Sequence, residues 1–131
     1  MAVWGIGANW NKQDISEKFI AYKTAAIGWD VEQNSTYHEL IEKVRLGDLI
    51  FIKARFMMNV PLRIKGIGLV VDTKLCKENG YHGKDGIKVH WIKDLTDSPV
   101  DLSISPSSTK SVQTFYREDN PEVIREIINL L

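Results

Sequence analysis

The chain has 131 residues, 44% apolar and 26% charged, with 17 Lys plus Arg against 17 Asp plus Glu. That is the make-up of one globular domain with its own core, so 1–131 reads as a single domain. Zero net charge excludes a bulk attraction to nucleic acid or to a membrane surface; any such attraction has to be local.

In chain order, Val3 to Gly7 predicts a first strand. Asp14 with Glu17 resembles a capping box, and Ile15, Phe19 and Tyr22 follow at helical spacing. Ala25 to Trp29 is a short apolar stretch ended by Asp30. Thr36 and Glu39 form a cleaner capping box, and Tyr37, Leu40, Ile41 and Val44 make one helical stripe, which predicts a helix over 36–46. Gly47 stands where the end of that helix needs a positive φ.

From Asp48 the period switches to two, with strands predicted at 48–54, 63–72 and 86–93. The first is apolar at every position from Leu49 to Ile52, so both of its faces should be covered. In the second, Gly66 and Gly68 share one face, where something can approach the backbone closely. In the third, Ile87, Val89 and Trp91 face one way and Lys88 and His90 the other. Ser98 to Ser111 reads as a long surface loop, and Val112 to Tyr116 as a final strand. Asn120 caps a last helix with Pro121 at its first position; its apolar face is Val123, Ile124, Ile127, Ile128 and Leu131.

No apolar run is long enough to span a bilayer, and the N-terminus lacks the layout of a signal peptide, so no membrane partner is expected. Cys76 is the single cysteine, which fits a reducing, cytoplasmic setting. No phosphate-binding Gly-rich loop, Cys/His cluster at metal spacing or nucleophile elbow is present, and His38, His82 and His90 are scattered. The expectation is a chain with no catalytic residues, no metal and no cofactor. Trp4 and Trp91 alternate with core residues and read as core. Trp10 and Trp29 each stand at a turn beside a polar residue, Asn9 or Asp30. They either cap the ends of a barrel or offer a face on which a base stacks. Lys53, Arg55 and Phe56 open a segment that either grips a phosphate and packs on a base or tucks into the core.

These residues carry a resemblance. Val3-Trp4-Gly5-Ile6-Gly7-Ala8-Asn9-Trp10, Gly47-Asp48-Leu49-Ile50-Phe51-Ile52-Lys53 and Lys65-Gly66-Ile67-Gly68-Leu69-Val70-Val71 look like the PUA-like superfamily, and most like its EVE and YTH branches. The resemblance covers roughly residues 1–93. The chain departs from those branches where they carry Lys-Ser and Tyr-His-Ser, having Ile6-Gly7 and Lys53-Ala54-Arg55 instead. The resemblance implies an α+β fold, a small PUA-like mixed β-barrel of five or six strands flanked by helices, that reads a modified base in an aromatic pocket.

The expected function is a non-catalytic binding module for a nucleotide or a modified base in nucleic acid. Its expected site is Asn9, Trp10, Trp29, Asp30, Lys53, Arg55 and Phe56. The alternatives are a protein-interaction module acting through 54–62 and the C-terminal helix, as a homo-oligomer or with another chain, a sponge for a nucleotide signal of the kind used in phage counter-defence, and a small enzyme on nucleotides, which would need a base or metal site that the sequence does not offer.

Overall fold

Leu49, Ile50, Phe51 and Ile52 are each at most 2% exposed, so the strand that carries them is covered on both faces. The structure, a computed structural model, describes residues 1–28, 35–55, 60–76, 86–103 and 109–131. Trp29, Asp30 and Phe56 lie outside the described residues. The strands are β1 (Val3–Gly7), β2 (Asn9–Trp10), β3 (Gln13–Asp14), β4 (Thr24–Ala26), β5 (Leu49–Ala54), β6 (Arg63–Cys76), β7 (Gly86–Asp94), β8 (Val100–Asp101) and β9 (Phe115–Glu118). The helices are α1 (Ser16–Tyr22), α2 (Ser35–Ile41) and α3 (Pro121–Asn129), and Thr109–Val112 is a 3₁₀ segment.

Six strands form a curled half-barrel in the order β4-β7-β6-β5-β1-β9, and β8 pairs beside them with β6. The architecture is therefore mixed α+β. The pair β1–β5 is parallel, with Val3 opposite Leu49 and Gly7 opposite Lys53; the other neighbours are antiparallel. Alternation along β5 sends Ile50 and Ile52 to one core with Trp4, Ile6, Phe19, Val89 and Phe115. Leu49 and Phe51 go to the other, with Val3, Ile64, Ile67, Tyr116, Val123 and Ile127. The second core is closed by α3, whose Asn120 cap accepts from the Glu122 N–H at 3.0 Å. Each such side chain contributes about 1.5–3 kcal/mol by leaving water.

Several expectations need correcting. The second helix ends at Ile41 rather than running to 46. Beyond it the Lys43 and Val44 N–H groups reach back only three residues, and the Arg45 N–H is taken by the Asp48 carboxylate at 2.9 Å, so the helical ladder stops. Ile41 and Val44 are buried all the same, while Leu40 is only half-buried. The stretch 98–111 is not simply a surface loop: Val100 and Asp101 pair with Ile64 and Arg63, and Leu102 is buried in the second core. The final strand starts at Phe115, not Val112, because Ser111 and Val112 belong to the 3₁₀ segment.

The glycines of β6 are approached closely, but by the protein itself. A Cβ on Gly68 would lie 2.5 Å from Val89 Cγ1 and 2.7 Å from the His90 carbonyl. One on Gly66 would lie 3.2 Å from Ile52 Cδ1. The bare backbone there makes room for packing between strands.

Candidate functional site

Two turns and one irregularity place the site. Asn11 and Lys12, both at positive φ (52° and 66°), join β2 to β3 with Asn9 opposite Asp14 and Trp10 opposite Gln13. This is the two-residue hairpin turn whose twist suits the flanking strands, built here without glycine. It sets Asp14 just before α1, where Oδ1 accepts from the Ser16 N–H at 2.9 Å and Oγ–H at 2.6 Å.

The irregularity is in the β5–β6 ladder. Ile52 pairs with Gly66, but Lys53 pairs with Ile64, so Lys65 is the extra residue of a bulge. The bulge lets Ile64 and Ile67 enter the same core and turns Lys65 to Asp14, Nζ to Oδ2 2.7 Å.

Beside this bulge lies a cavity of about 230 Å³ lined by Gly7, Ala8, Asn9, Asp14, Ser16, Lys53, Ala54, Arg55, Lys65, Val112 and Thr114. It opens at the C-terminal ends of β1 and β5, the parallel pair. Lys53 is 6% exposed and Arg55 2%. The Lys53 side chain passes over bare backbone, since a Cβ on Gly7 would meet Lys53 Cε at 3.7 Å, and its Nζ stands 5.9 Å from the centre of the Tyr116 ring. Among the described residues no carboxylate comes within ion-pair distance of it. Burial, with the Arg55 charge beside it, pulls the Lys53 ammonium down to about 8, so it is still mainly protonated at neutral pH. Arg55 is held by Nε donating to the Val60 carbonyl at 3.1 Å and by a short hydrogen bond from Nη1 to Ser111 Oγ.

Asp14 is a carboxylate in the same cavity wall. Burial alone would raise it, but the bonds from Lys65 and Ser16 outweigh this and hold it below the usual carboxylate range. The lining thus carries two buried cations, Lys53 and Arg55, and a third, Lys65, paired with the ionised Asp14 carboxylate. A buried charge without a counter-charge is costly, and an anion entering the cavity would relieve that cost at Lys53.

Of the residues singled out by sequence, Asn9, Lys53 and Arg55 line this cavity together. Trp10 is not in its lining. It is half-buried against the first core, edge-on to Phe19 with ring centres 6.2 Å apart, and a Cβ on Gly28 would touch its ring at 3.0 Å. One face of that indole is therefore covered by Gly28. Of the expected core tryptophans, Trp4 is 2% exposed and stacks on Phe115, while Trp91 is half-buried and donates from Nε1 to the Phe19 carbonyl at 2.9 Å. Sequence reasoning did not place Asp14, Ser16, Lys65, Ser111 or Thr114 in the site. Asp14 and Lys65 are 51 positions apart and Arg55 and Ser111 are 56 apart, separations that carry no local signal.

A second, shallower cavity of about 630 Å³ is lined by Ala2, Trp4, Lys43, Arg45, Gly47, Asp48 and Arg117 among others. Its one carboxylate takes three hydrogen bonds. Asp48 accepts from the Ala2 N–H at 3.0 Å, the Trp4 indole at 2.9 Å and the Arg45 N–H at 2.9 Å. Burial would raise its pKa, and these donors keep it lowered. Gly47 has φ +86° and open space around it, so the Gly-Asp pair is a turn followed by a structural hub. Among the described residues no group of three or more His, Cys, Asp or Glu is placed to hold a metal, and no helix is long and apolar enough to cross a membrane. No protein-family model matches this chain, and none of the curated proteins matches it in sequence.

Proposed function

We propose that this chain is a non-catalytic binding module that holds a nucleotide, free or as one modified base drawn out of a nucleic acid, in the Lys53–Arg55 cavity. The observation that carries this reading is the buried Lys53, with no carboxylate beside it among the described residues, facing a cavity it shares with Arg55. The Arg55 guanidinium, fixed by Val60 and Ser111, sets a positive charge beside the ammonium, and the two together suit an anionic phosphate. The cavity, about 230 Å³, is smaller than the ~300–1,000 Å³ typical of sites that swallow a drug-sized ligand. That favours one base or one phosphate-bearing head group over a whole dinucleotide. Zero net charge argues in the same direction, because tracking a duplex needs many cations. A PUA-like barrel is part of the same proposal.

Calorimetric titration with nucleoside monophosphates across a range of salt tests it. Binding that follows a salt slope of about one or two charges and is lost in Lys53→Met is the expected result. A slope of about six or more with long duplex DNA would replace the pocket with a backbone-tracking surface. Failure of every phosphate ligand, together with concentration-dependent self-association, would favour an interaction module.

A further inference from the structure

The cavity is chemically two-sided. Lys53 and Arg55 present positive charge. Asp14 presents a carboxylate whose side chain is 52% exposed. An ionised carboxylate has roughly four acceptor positions. Three are occupied, by the Ser16 N–H, the Ser16 hydroxyl and Lys65. That leaves acceptor capacity on a group that borders the cavity, with the Asn9 side chain beside it. An enclosure of about 230 Å³ brings both walls within reach of one small molecule.

A ligand that is only an anion uses the cationic wall and leaves the remaining acceptor position of Asp14, whose charge Lys65 pairs, to water. One that is only a donor leaves Lys53 buried without a counter-charge. A molecule with an anion at one end and an N–H donor at the other satisfies both. The two cations match a terminal phosphate, whose second ionisation near pH ~6 makes it largely dianionic at neutral pH. A carboxylate reads an exocyclic amine on a base, as Asp and Glu accept from the cytosine amino group.

Resting on the binding role proposed above, we infer that the ligand is a nucleoside monophosphate, or a terminal nucleotide, with an amino-bearing base. Its phosphate lies at Lys53 and Arg55 and its amine donates to Asp14. Asp14 is then a specificity-determining residue as well as the partner of Lys65.

The test uses the full chain and two matched ligand pairs, cytidine against uridine 5′-monophosphate and adenosine against inosine 5′-monophosphate. Each pair exchanges an amine for a carbonyl at nearly constant size and charge. By calorimetry the amino member should bind about tenfold tighter or better, within the range of one good base-edge contact. Asp14→Asn should weaken the amino ligands and leave the carbonyl ligands unchanged or tighter, because it also releases Lys65 from its ion pair. Equal affinity within both pairs overturns the inference on the wild-type chain alone, with no variant needed. So does an Asp14→Asn variant that shifts all four ligands by one factor, which would mean that Asp14 acts only through Lys65. In either case phosphate-dependent binding would survive and the broader role with it. If neither the nucleotides nor inorganic phosphate binds, it is the broader role that fails.

Discussion

Asp48 and Lys53 flank the same buried run, five positions apart, and both are almost fully out of water, at 4% and 6% exposure. Their surroundings differ. Asp48 receives three hydrogen bonds, two from the backbone and one from Trp4, which together hold the start of β1 to the start of β5. Lys53 stands over the Tyr116 ring, 5.9 Å from its centre, with a second cation nearby. Burial of a charge is therefore not in itself a sign of function; what matters is whether the protein has already answered it. Asp48 is answered by the fold. Lys53, among the described residues, meets no carboxylate.

The largest effect should come from the satisfied charge. Asp48→Ala removes an acceptor that serves three donors, two of them on the backbone, and should cost about 3–5 kcal/mol in chemical denaturation. A loss under about 1 kcal/mol would mean that water replaces it and that the contrast with Lys53 is false.

Next comes the pH dependence of the two groups, which has opposite origins. Lys53 ionises at about 8 when folded and at 10.5 in the reference state, so between those values the unfolded chain holds more protons. Stability should rise with pH from about 8 towards 10, by on the order of 1 kcal/mol per unit, and then level as Tyr116, whose phenol burial pushes up, acts in the reverse sense. Asp48 is lowered from 3.8, so its contribution is present above that value and fades as pH falls below it. Melting curves across pH should show the alkaline rise vanish in Lys53→Met while the acid limb stays. Anion affinity should fall over the same alkaline range, as the ammonium loses its proton.

Lys53→Met itself is expected to leave the unliganded protein unchanged or up to about 1 kcal/mol more stable, since an apolar chain of similar length replaces a buried charge. A loss of several kcal/mol would show that Lys53 is answered by the fold after all. The smallest effect should be at Gly7. An added Cβ meets Lys53 Cε at 3.7 Å, an ordinary contact, so Gly7→Ala should change stability by less than about 1 kcal/mol. It should nevertheless weaken ligand binding by narrowing the floor of the cavity. Unaltered affinity would place the ligand elsewhere.

Much of the architecture was legible because periodicity is a local property. The run Leu49–Ile52 announced a strand covered on both faces, and Asn120-Pro121 announced α3, because the burial pattern and the cap are each written within a few residues. The site was legible only in part. Asn9, Lys53 and Arg55 could be named from residue type and position. Asp14 was read as opening a capping box, but the N-cap of α1 is Ile15, without a side-chain cap bond; Asp14 instead closes a local turn onto Ser16 and pairs with Lys65, which was read only as part of a strand. The β2–β3 hairpin was missed because Asn11-Lys12 lacks the glycine that signals such a turn.

By itself the sequence determined the strands β1, β5, β6 and β7 and the helix α3 with their apolar faces, since those follow from apolar spacing and capping residues. The tertiary structure alone decided which strands pair, that Gly7 lies opposite Lys53, that a one-residue bulge turns Lys65 towards Asp14, and that Asp48 is met by donors while Lys53 meets no carboxylate among the described residues. Pairing and register are set by the summed packing of residues dozens of positions apart, and the state of a buried charge depends on the neighbours that such pairing brings.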